Sequence, residues 1–371
     1  MYTTLFSPME VGGKRLKNRI TMAPLYLGYA GEGGTVSPLL LEHYRMMAAG
    51  GAAMITVENA TVDHPAGSGS NRTIRADTDD NLPGLEKLAE TIKNEGALAC
   101  LQLNHAGRFA GVQEAVAPSE VNTFGRTPRA LTLDEIEEIR NSFVRAAQRA
   151  FKAGFDMVEL HGGTGYLLAQ FASPRTNKRN DYYGGSLEKR MRFPLEVMQA
   201  VREAAGNKPV GYRFLADEWL PDGLTLEESG PLASRLSDTG AAYLSVMGGT
   251  YESFSMPEVI KATKKPGYMA DLAGEIRDQV RVPVIAAGRI TVGHVAEEVL
   301  SSGRADLAGL ARVLWADPEW PEKVRQDRED DLVICDPGCR DVCMQLVMQG
   351  KPAFCPQWSP EKARRLKDLY E

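Results

Sequence analysis

Four of the five cysteines of this chain lie close together near its end. They are Cys335, Cys339, Cys343 and Cys355, in the run ICDPGCRDVCMQLVMQGKPAFC. Four thiolates can wrap one cuboidal iron–sulfur core, and three close cysteines plus a more distant one suit that geometry. A zinc site also takes four cysteines, but usually as C-x2-C pairs, which this sequence lacks. The spacing therefore favours a [4Fe-4S] cluster over a zinc site and over four unrelated thiols.

Other polar residues that could do chemistry stand in or just after short apolar runs. Arg213 lies inside the run VGYRFLAD. It needs an anionic or strongly accepting partner, because an unpaired buried charge is costly. A structural ion pair is the alternative explanation. His161, Tyr166 and Gln102 could form a hydrogen-bonding pocket, although a lone histidine is more often a satisfied buried side chain.

Eight nearly continuous apolar runs alternate with amphipathic stretches along the chain. This pattern is typical of parallel strands that are buried on both faces and connected by helices. The predicted strands are 19–25, 53–59, 98–104, 156–162, 210–216, 242–248, 282–288 and 306–311. The predicted helices are 39–49, 85–94, a helix after Thr132 ending near 152, one after Thr225, 187–204, 269–279, 292–301 and 318–325. Eight consecutive strand–helix units specify a TIM (β/α)8 barrel better than a doubly wound sheet.

Two segments fall outside this repeating pattern. VGGK at 11–14 predicts a hairpin turn that plugs the bottom of the barrel. From about Asp331 the strand–helix pattern stops, and too few residues follow to build a core of their own. We therefore predict a barrel over 1–330 and a cysteine-bearing tail over 331–371.

Composition limits the classes of function. The net charge of -6 gives no basic field for nucleic acid or anionic lipid. The N-terminus lacks the order of a signal peptide, and no apolar run reaches membrane-spanning length. We expect a cytoplasmic protein with reduced thiols, a small-molecule substrate and neither a nucleic-acid nor a membrane partner.

Four segments together resemble the old yellow enzyme family of FMN-dependent oxidoreductases. They are LFSPMEVGGKRLKNRITMAP, LQLNHAGR, GFDMVELHGGTGYLLAQFASPRTNKRNDYYGGSLEKRMRF and GRADLAGLARVLWADPEWPEK. With the cysteine tail, the chain is most similar to the branch that contains bacterial 2,4-dienoyl-CoA reductase and trimethylamine dehydrogenase. The resemblance covers essentially the whole chain.

The resemblance implies that FMN lies across the barrel mouth. Residues that would touch or hold it are Pro24, Leu25, Tyr26, Asn59, Gln102, Arg213, Gly288, Arg289, Ala311 and Arg312. Among these, Arg213 would stabilise negative charge on the reduced flavin, in agreement with the need of a buried arginine for a partner. His161, with help from Thr164, would polarise a substrate carbonyl, and Tyr166 would be the proton donor.

Three positions depart from the family pattern. Thr164 stands where many members have a second histidine, asparagine or glutamate, so the carbonyl contacts are expected to differ. Tyr26 stands near where amine dehydrogenases of this branch attach FMN through a cysteine, which argues against that type of enzyme. Three residues separate Cys335 from Cys339, where related enzymes usually have two, so Cys335 is the least secure ligand.

The resemblance also leaves the electron route and the reaction direction open. No G-x-G-x-x-G fingerprint follows a strand in this sequence. We therefore expect electrons from a separate electron-transfer protein, either an FAD/NAD(P)H flavoprotein subunit or a ferredoxin. Reduction of an activated C=C bond is the first hypothesis. A C–N or C–C dehydrogenase or demethylase and a non-catalytic electron-transfer subunit are the alternatives, and a homo-oligomer is possible.

Overall fold

The computed structural model describes residues 2–335, 339 and 342–370. Its strands are β1 (Met9–Val11), β2 (Lys14–Leu16), β3 (Ile20–Met22), β4 (Met54–Thr61), β5 (Leu98–Asn104), β6 (Val116–Ala117), β7 (Arg129–Ala130), β8 (Met157–Gly162), β9 (Val210–Asp217), β10 (Leu244–Gly248), β11 (Val284–Ala286) and β12 (Leu307–Leu310). Eight of them close into a parallel barrel in the order β10-β11-β12-β3-β4-β5-β8-β9. The predicted (β/α)8 barrel is confirmed.

All eight predicted barrel strands form, and they differ from prediction mainly at their ends. The run 19–25 contributes only Ile20–Met22 to the ladder, although the amide of Ala23 still donates to the carbonyl of Leu310 at 2.8 Å. Pro24 has no amide hydrogen and cannot continue a central ladder. The chain leaves the barrel there, so Pro24 and Leu25 belong to the mouth rather than to the wall.

The helices follow the predicted caps and fill the spaces between the strands. They are α1 (Pro38–Ala49), α2 (Leu82–Asn94), α3 (Leu133–Lys152), α4 (Leu167–Ala172), α5 (Leu187–Arg190), α6 (Arg192–Ala205), α7 (Leu226–Asp238), α8 (Pro257–Ala262), α9 (Ala270–Arg277), α10 (Gly293–Ser301), α11 (Arg312–Ala316), α12 (Trp320–Arg325), α13 (Val342–Met348) and α14 (Pro360–Asp368). Thr132 and Glu135 form the full capping box of α3. The single helix predicted over 187–204 is wrong, because Pro194 cannot donate to the carbonyl of Arg190 and the chain divides into α5 and α6.

The predicted hairpin closes the N-terminal end of the barrel. Val11 pairs with Lys14 across a turn in which Gly12 and Gly13 have φ of 56° and 76°, as a two-residue turn of this kind requires. Val11 and Leu16 pack in a buried cluster with barrel residues such as Cys100. The opposite, carboxyl end of the strands is left for the site.

The tail packs against the barrel rather than apart from it. Cys343, Cys355, Trp358 and Leu366 all belong to the main buried core. The indole of Trp358 donates to the carbonyl of Trp315 at 3.1 Å. Across the described ranges, the structure contains no helix long and apolar enough to cross a membrane.

Candidate active site

A cavity of about 170 Å³ opens at the carboxyl ends of the last barrel strands. Cys335 lines this cavity. Six of the residues predicted to hold a cofactor also line it: Pro24, Arg213, Gly288, Arg289, Ala311 and Arg312. TIM barrels commonly bind phosphate after strands 7 and 8, which is this position. Three guanidinium groups in one cavity wall make it suited to a phosphorylated ligand.

The backbone conformation and the close packing of the cavity wall require a glycine at position 288. Its φ is 97°, a left-handed conformation that favours glycine, and an added Cβ would lie 3.0 Å from Tyr268 and 3.1 Å from Met269. The next residue, Arg289, donates from Nε to the carbonyl of Thr263 at 2.8 Å. That bond ties the cavity wall to the loop after β10.

Arg213 lies on β9, inside the apolar run that predicted this strand. Its Nη1 donates to Ser245 Oγ at 2.8 Å. Burial lowers the pKa of Arg213, and the nearby carboxylate of Glu159 partly opposes that effect. Glu159 in turn accepts from Gln102 Nε2 at 2.8 Å. The guanidinium therefore has a partial counter-charge and also lines the cavity, so a structural role and a ligand-binding role coexist.

The side of the site formed by β4 and β5 has an unused polar group. Asn59 is buried, and its Oδ1 has no hydrogen-bond partner among the described residues. The backbone N–H of Asn59 donates to Gln102 Oε1 at 3.3 Å. A buried oxygen without a partner is costly unless a ligand completes it. Asn59 and Gln102 therefore suit the polar edge of a ring system lying on the barrel mouth.

His161 and Tyr166 meet above this edge. Their ring centroids are 4.8 Å apart. His161 Nδ1 accepts the amide hydrogen of Gly163 at 3.2 Å, which leaves the proton of a neutral ring on Nε2. Burial, and then the charge of Arg213, holds the pKa of His161 well below its usual range. His161 is thus a neutral hydrogen-bond donor at working pH.

The phenol of Tyr166 is kept protonated by its surroundings. Burial, followed by the neighbouring Tyr251, raises the pKa of Tyr166 well above its usual value. The hydroxyls of Tyr166 and Tyr251 are 2.7 Å apart, and the side chain of Asn59 also bonds to Tyr166. A neutral, positioned phenol can donate a proton to a substrate.

Thr164 and Tyr26 have other partners. Thr164 has φ of 58°, and its hydroxyl lies 3.5 Å from Met247 Sδ. The hydroxyl of Tyr26 bonds to Ser70, and burial raises the pKa of Tyr26. Since the Thr164 hydroxyl lies against Met247, a role for Thr164 beside His161 requires this hydroxyl to turn toward a substrate.

The loop after β10 supplies residues that sequence reasoning did not single out. Tyr251 packs edge-on against Phe109, with ring centroids 5.1 Å apart. Its neighbour Glu252 accepts from Arg108 Nη2 at 2.6 Å and from Arg175 Nη2 at 3.1 Å. The serine, proline and lysine content of the segment 251–266 is typical of a mobile lid. The two ion pairs instead fix the start of that segment over the site. Their partners are distant in sequence, so the pairs could not be predicted from the sequence alone.

The four tail cysteines are gathered on one side of the barrel mouth. Cys343 and Cys355 are buried, and Cys335 and Cys339 are half-buried. Burial raises the pKa of Cys335, and the other three thiols add to this through space. Within the described residues, no group of three or more Cys, His, Asp or Glu side chains is arranged to hold a metal ion. The chemistry of the donor set, four neighbouring thiols, fits an iron–sulfur cluster. The residues between Cys335 and Cys339, where the unusual spacing falls, lie outside the described part.

Together these features define a class of protein. A closed (β/α)8 barrel with an arginine-lined cavity beside a buried amide edge and a histidine–tyrosine pair is typical of a flavin-binding oxidoreductase.

The chain belongs to the NADH:flavin oxidoreductase / NADH oxidase family, the old yellow enzyme family, whose model matches residues 4–331. It is 43% identical over 350 residues to an NADH oxidase of Thermoanaerobacter brockii, covering 91% of this chain and 54% of that protein. The chain thus spans about half the length of that relative.

Two solved structures extend the similarity into the tail. A 2-naphthoyl-CoA reductase complex superposes with a TM-score of 0.92 at 29% identity, covering 100% of this chain and 58% of the other. Histamine dehydrogenase from Rhizobium sp. 4-9 superposes with a TM-score of 0.86 at 30% identity, covering 96% of this chain and 52% of the other. The expected enzyme class, a flavin-dependent oxidoreductase, is confirmed.

Proposed function

We propose that this chain is an FMN-dependent reductase of an activated C=C bond conjugated to a carbonyl group, in an enone, an enoate or an enoyl or dienoyl thioester. The observation that carries the proposal is the contact of a neutral His161 donor with a protonated Tyr166 at the barrel mouth. One group can polarise a carbonyl while the other delivers a proton, as such a reduction needs.

The cofactors set the redox chemistry and the chain positions them. FMN, when bound, supplies hydride transfer from N5, and a cluster held by Cys335, Cys339, Cys343 and Cys355 supplies one-electron exchange with a separate electron-transfer protein. Arg289 and Arg312, with the backbone of Gly288 and Ala311, would hold the phosphate. Pro24, Leu25 and Tyr26 would lie against the ring, with Asn59, Gln102 and Arg213 at its polar edge.

Side chains of this chain polarise the substrate carbonyl and supply the proton. His161 Nε2–H donates to the substrate carbonyl and stabilises the negative charge that develops on its oxygen. The Thr164 hydroxyl can add a second, weaker donor once it leaves Met247. The Tyr166 phenol gives its proton to the carbon next to the carbonyl. The rings of Phe109 and Tyr251 pack edge-on against Tyr166 and hold its phenol in position.

A second candidate is the oxidative direction, a dehydrogenase or demethylase that passes electrons outward. The similarity to histamine dehydrogenase over 96% of this chain favours keeping it. Tyr26 has no thiol and cannot form a thioether to the flavin. The third candidate, a non-catalytic electron-transfer subunit, gives no reason for the His161–Tyr166 pair.

Anaerobic rapid mixing tests the proposal. The photoreduced protein is mixed with cyclohexenone or crotonyl-CoA, the oxidised protein is mixed with a methylated amine, and flavin absorbance is followed in each case. We expect reoxidation by an enone or enoyl thioester. Tyr166→Phe should slow it by about a hundredfold or more at unchanged FMN content. Tyr182→Phe, at an exposed tyrosine remote from the site, is the control. Flavin reduction by the amine, with no reaction of the unsaturated carbonyls, would overturn the proposal.

A further inference from the structure

The tail helices carry an unusual share of the exposed apolar surface. Nine large apolar side chains are exposed among the described residues, and four of them lie on or just after α13 and α14. These are Met344, Met348, Leu369 and Tyr370, and Met348 is 84% exposed. We call these four residues, with the cavity between the helices, the tail patch. Large apolar side chains exposed together in one segment commonly mark an interaction site.

The cavity of the tail patch reaches one of the cysteines. Its volume is about 540 Å³, and its walls include Leu346, Phe354, Cys355, Trp358, Lys367 and Tyr370. Cys343 lies on α13, directly before the exposed Met344. A macromolecule seated on the tail patch would therefore lie over Cys355, which lines the cavity, and against α13, which carries Cys343.

The charge around the tail patch has the opposite sign to that of the whole chain. Residues 351–370 contain five basic residues and two acidic ones, whereas the chain carries a net charge of -6. Lys351 and Lys367 line the cavity itself. An apolar centre with a basic rim fits an acidic partner, because complementary charge speeds encounter and rejects wrong partners. A second copy of this chain would bring basic rim against basic rim.

We infer that the tail patch is the docking surface of an acidic, one-electron carrier protein, seated over Cys343 and Cys355. The inference rests on the proposed function, because the thiols identify the partner as an electron carrier. The exposed apolar side chains and the basic charge of the tail patch are independent of the proposed function. They predict a binding surface that includes the exposed Met348 and the cavity lined by Lys351 and Lys367.

Binding of a plant-type two-iron ferredoxin, used as the acidic probe, tests the inference by biolayer interferometry on the holoprotein. We expect the Kd to rise at least about tenfold between about 20 mM and about 300 mM salt. Met348→Glu should raise the Kd at low salt at least about tenfold. Leu133→Glu, at an exposed leucine at the start of α3, should leave it unchanged. Lys367→Glu should weaken both the binding and its salt dependence.

Several outcomes would overturn the inference. One is no binding, or equal Kd values for the wild-type chain and Met348→Glu. Another is a wild-type dimer in sedimentation that Met348→Glu dissociates, since the occupant would then be a second copy. Binding of phosphatidylserine vesicles that Met348→Glu abolishes would assign the patch to a lipid surface. The Tyr166→Phe experiment uses photoreduced protein without any carrier, so failure of the proposed function is seen separately.

Discussion

At the residue scale, Tyr251 gives Tyr166 a route to solvent. Tyr166 is 7% exposed, and Tyr251, 2.7 Å away at its hydroxyl, is 41% exposed. After Tyr166 gives up its proton, Tyr251 can return one by taking a proton from water. We predict that Tyr251→Phe slows flavin reoxidation by substrate about tenfold, since ring packing stays and only the hydroxyl is lost.

Rapid mixing in H₂O and D₂O measures this effect. Tyr251→Phe should enlarge the solvent isotope effect on reoxidation, and Tyr251→His should restore part of the rate, because an imidazole can also relay a proton. Tyr182→Phe is again the matched control. If Tyr251→Phe reoxidised at the wild-type rate while Tyr166→Phe did not, Tyr251 would be a packing residue only.

Glu58 gives a pH dependence of stability. It is buried on β4 beside Tyr44, and burial raises its pKa to about 7 despite the hydrogen bonds that stabilise the carboxylate. An unfolded glutamate titrates near about 4.3, so the folded state binds this proton more tightly. The stabilisation that this bound proton contributes is complete below about pH 4.3, is lost as pH rises to about 7, and amounts to roughly 4 kcal/mol.

We therefore predict that Glu58→Gln, which cannot ionise, becomes more stable relative to wild type as pH rises from about 5 to about 8. Urea unfolding at the two pH values measures the difference in free energy. Glu137→Gln, at an exposed glutamate of α3, should show no such trend. A constant difference between Glu58→Gln and wild type at both pH values would contradict the raised pKa.

At the element scale, the turn of the β1–β2 hairpin contains two glycines with different demands. Both have positive φ, but an added Cβ at Gly12 would lie 2.5 Å from Pro209, whereas at Gly13 it would meet nothing within 4 Å. Gly12→Ala would therefore add a steric overlap with Pro209 to the backbone strain of an alanine at positive φ. We expect it to cost roughly 2–4 kcal/mol, against about 1 kcal/mol for Gly13→Ala. Equal losses in urea unfolding would show that the hairpin does not press on the barrel end.

Among the elements, the barrel strands could be predicted from the sequence, whereas several short helices could not. The eight barrel strands were predictable because parallel strands buried on both faces leave long apolar runs. The short helices α4, α8 and α11 were not predicted, since they lie within strand–helix loops and are fixed by tertiary contacts. The position of Arg213 followed from one charge in an apolar strand. Tyr251 and Glu252 left no such signal, because their importance comes from Tyr166, Arg108 and Arg175, which are distant in sequence.

At the scale of the whole molecule, the tail meets the barrel core beside the arginine-lined cavity. Cys335 lines the same cavity as Arg213 and Arg312. The hydroxyl of Tyr29 donates to the carbonyl of Ala353 at 2.5 Å and accepts from the indole of Trp315. Barrel and tail therefore share hydrogen bonds as well as apolar contacts, so a change in the tail is expected to reach the site.

Trp358 is the tail residue best placed to show this coupling. It is 7% exposed, and its ring packs edge-on against Trp315 of α11 at 5.1 Å. We predict that Trp358→Ala destabilises the barrel itself by about 3–5 kcal/mol, because it removes a large buried side chain from a shared core. Urea unfolding followed by circular dichroism should still give one transition, at lower urea. Met348→Ala, at an exposed position, should leave the midpoint unchanged. If Trp358→Ala left the barrel transition in place and only made the tail sensitive to protease, barrel and tail would be separate folding units.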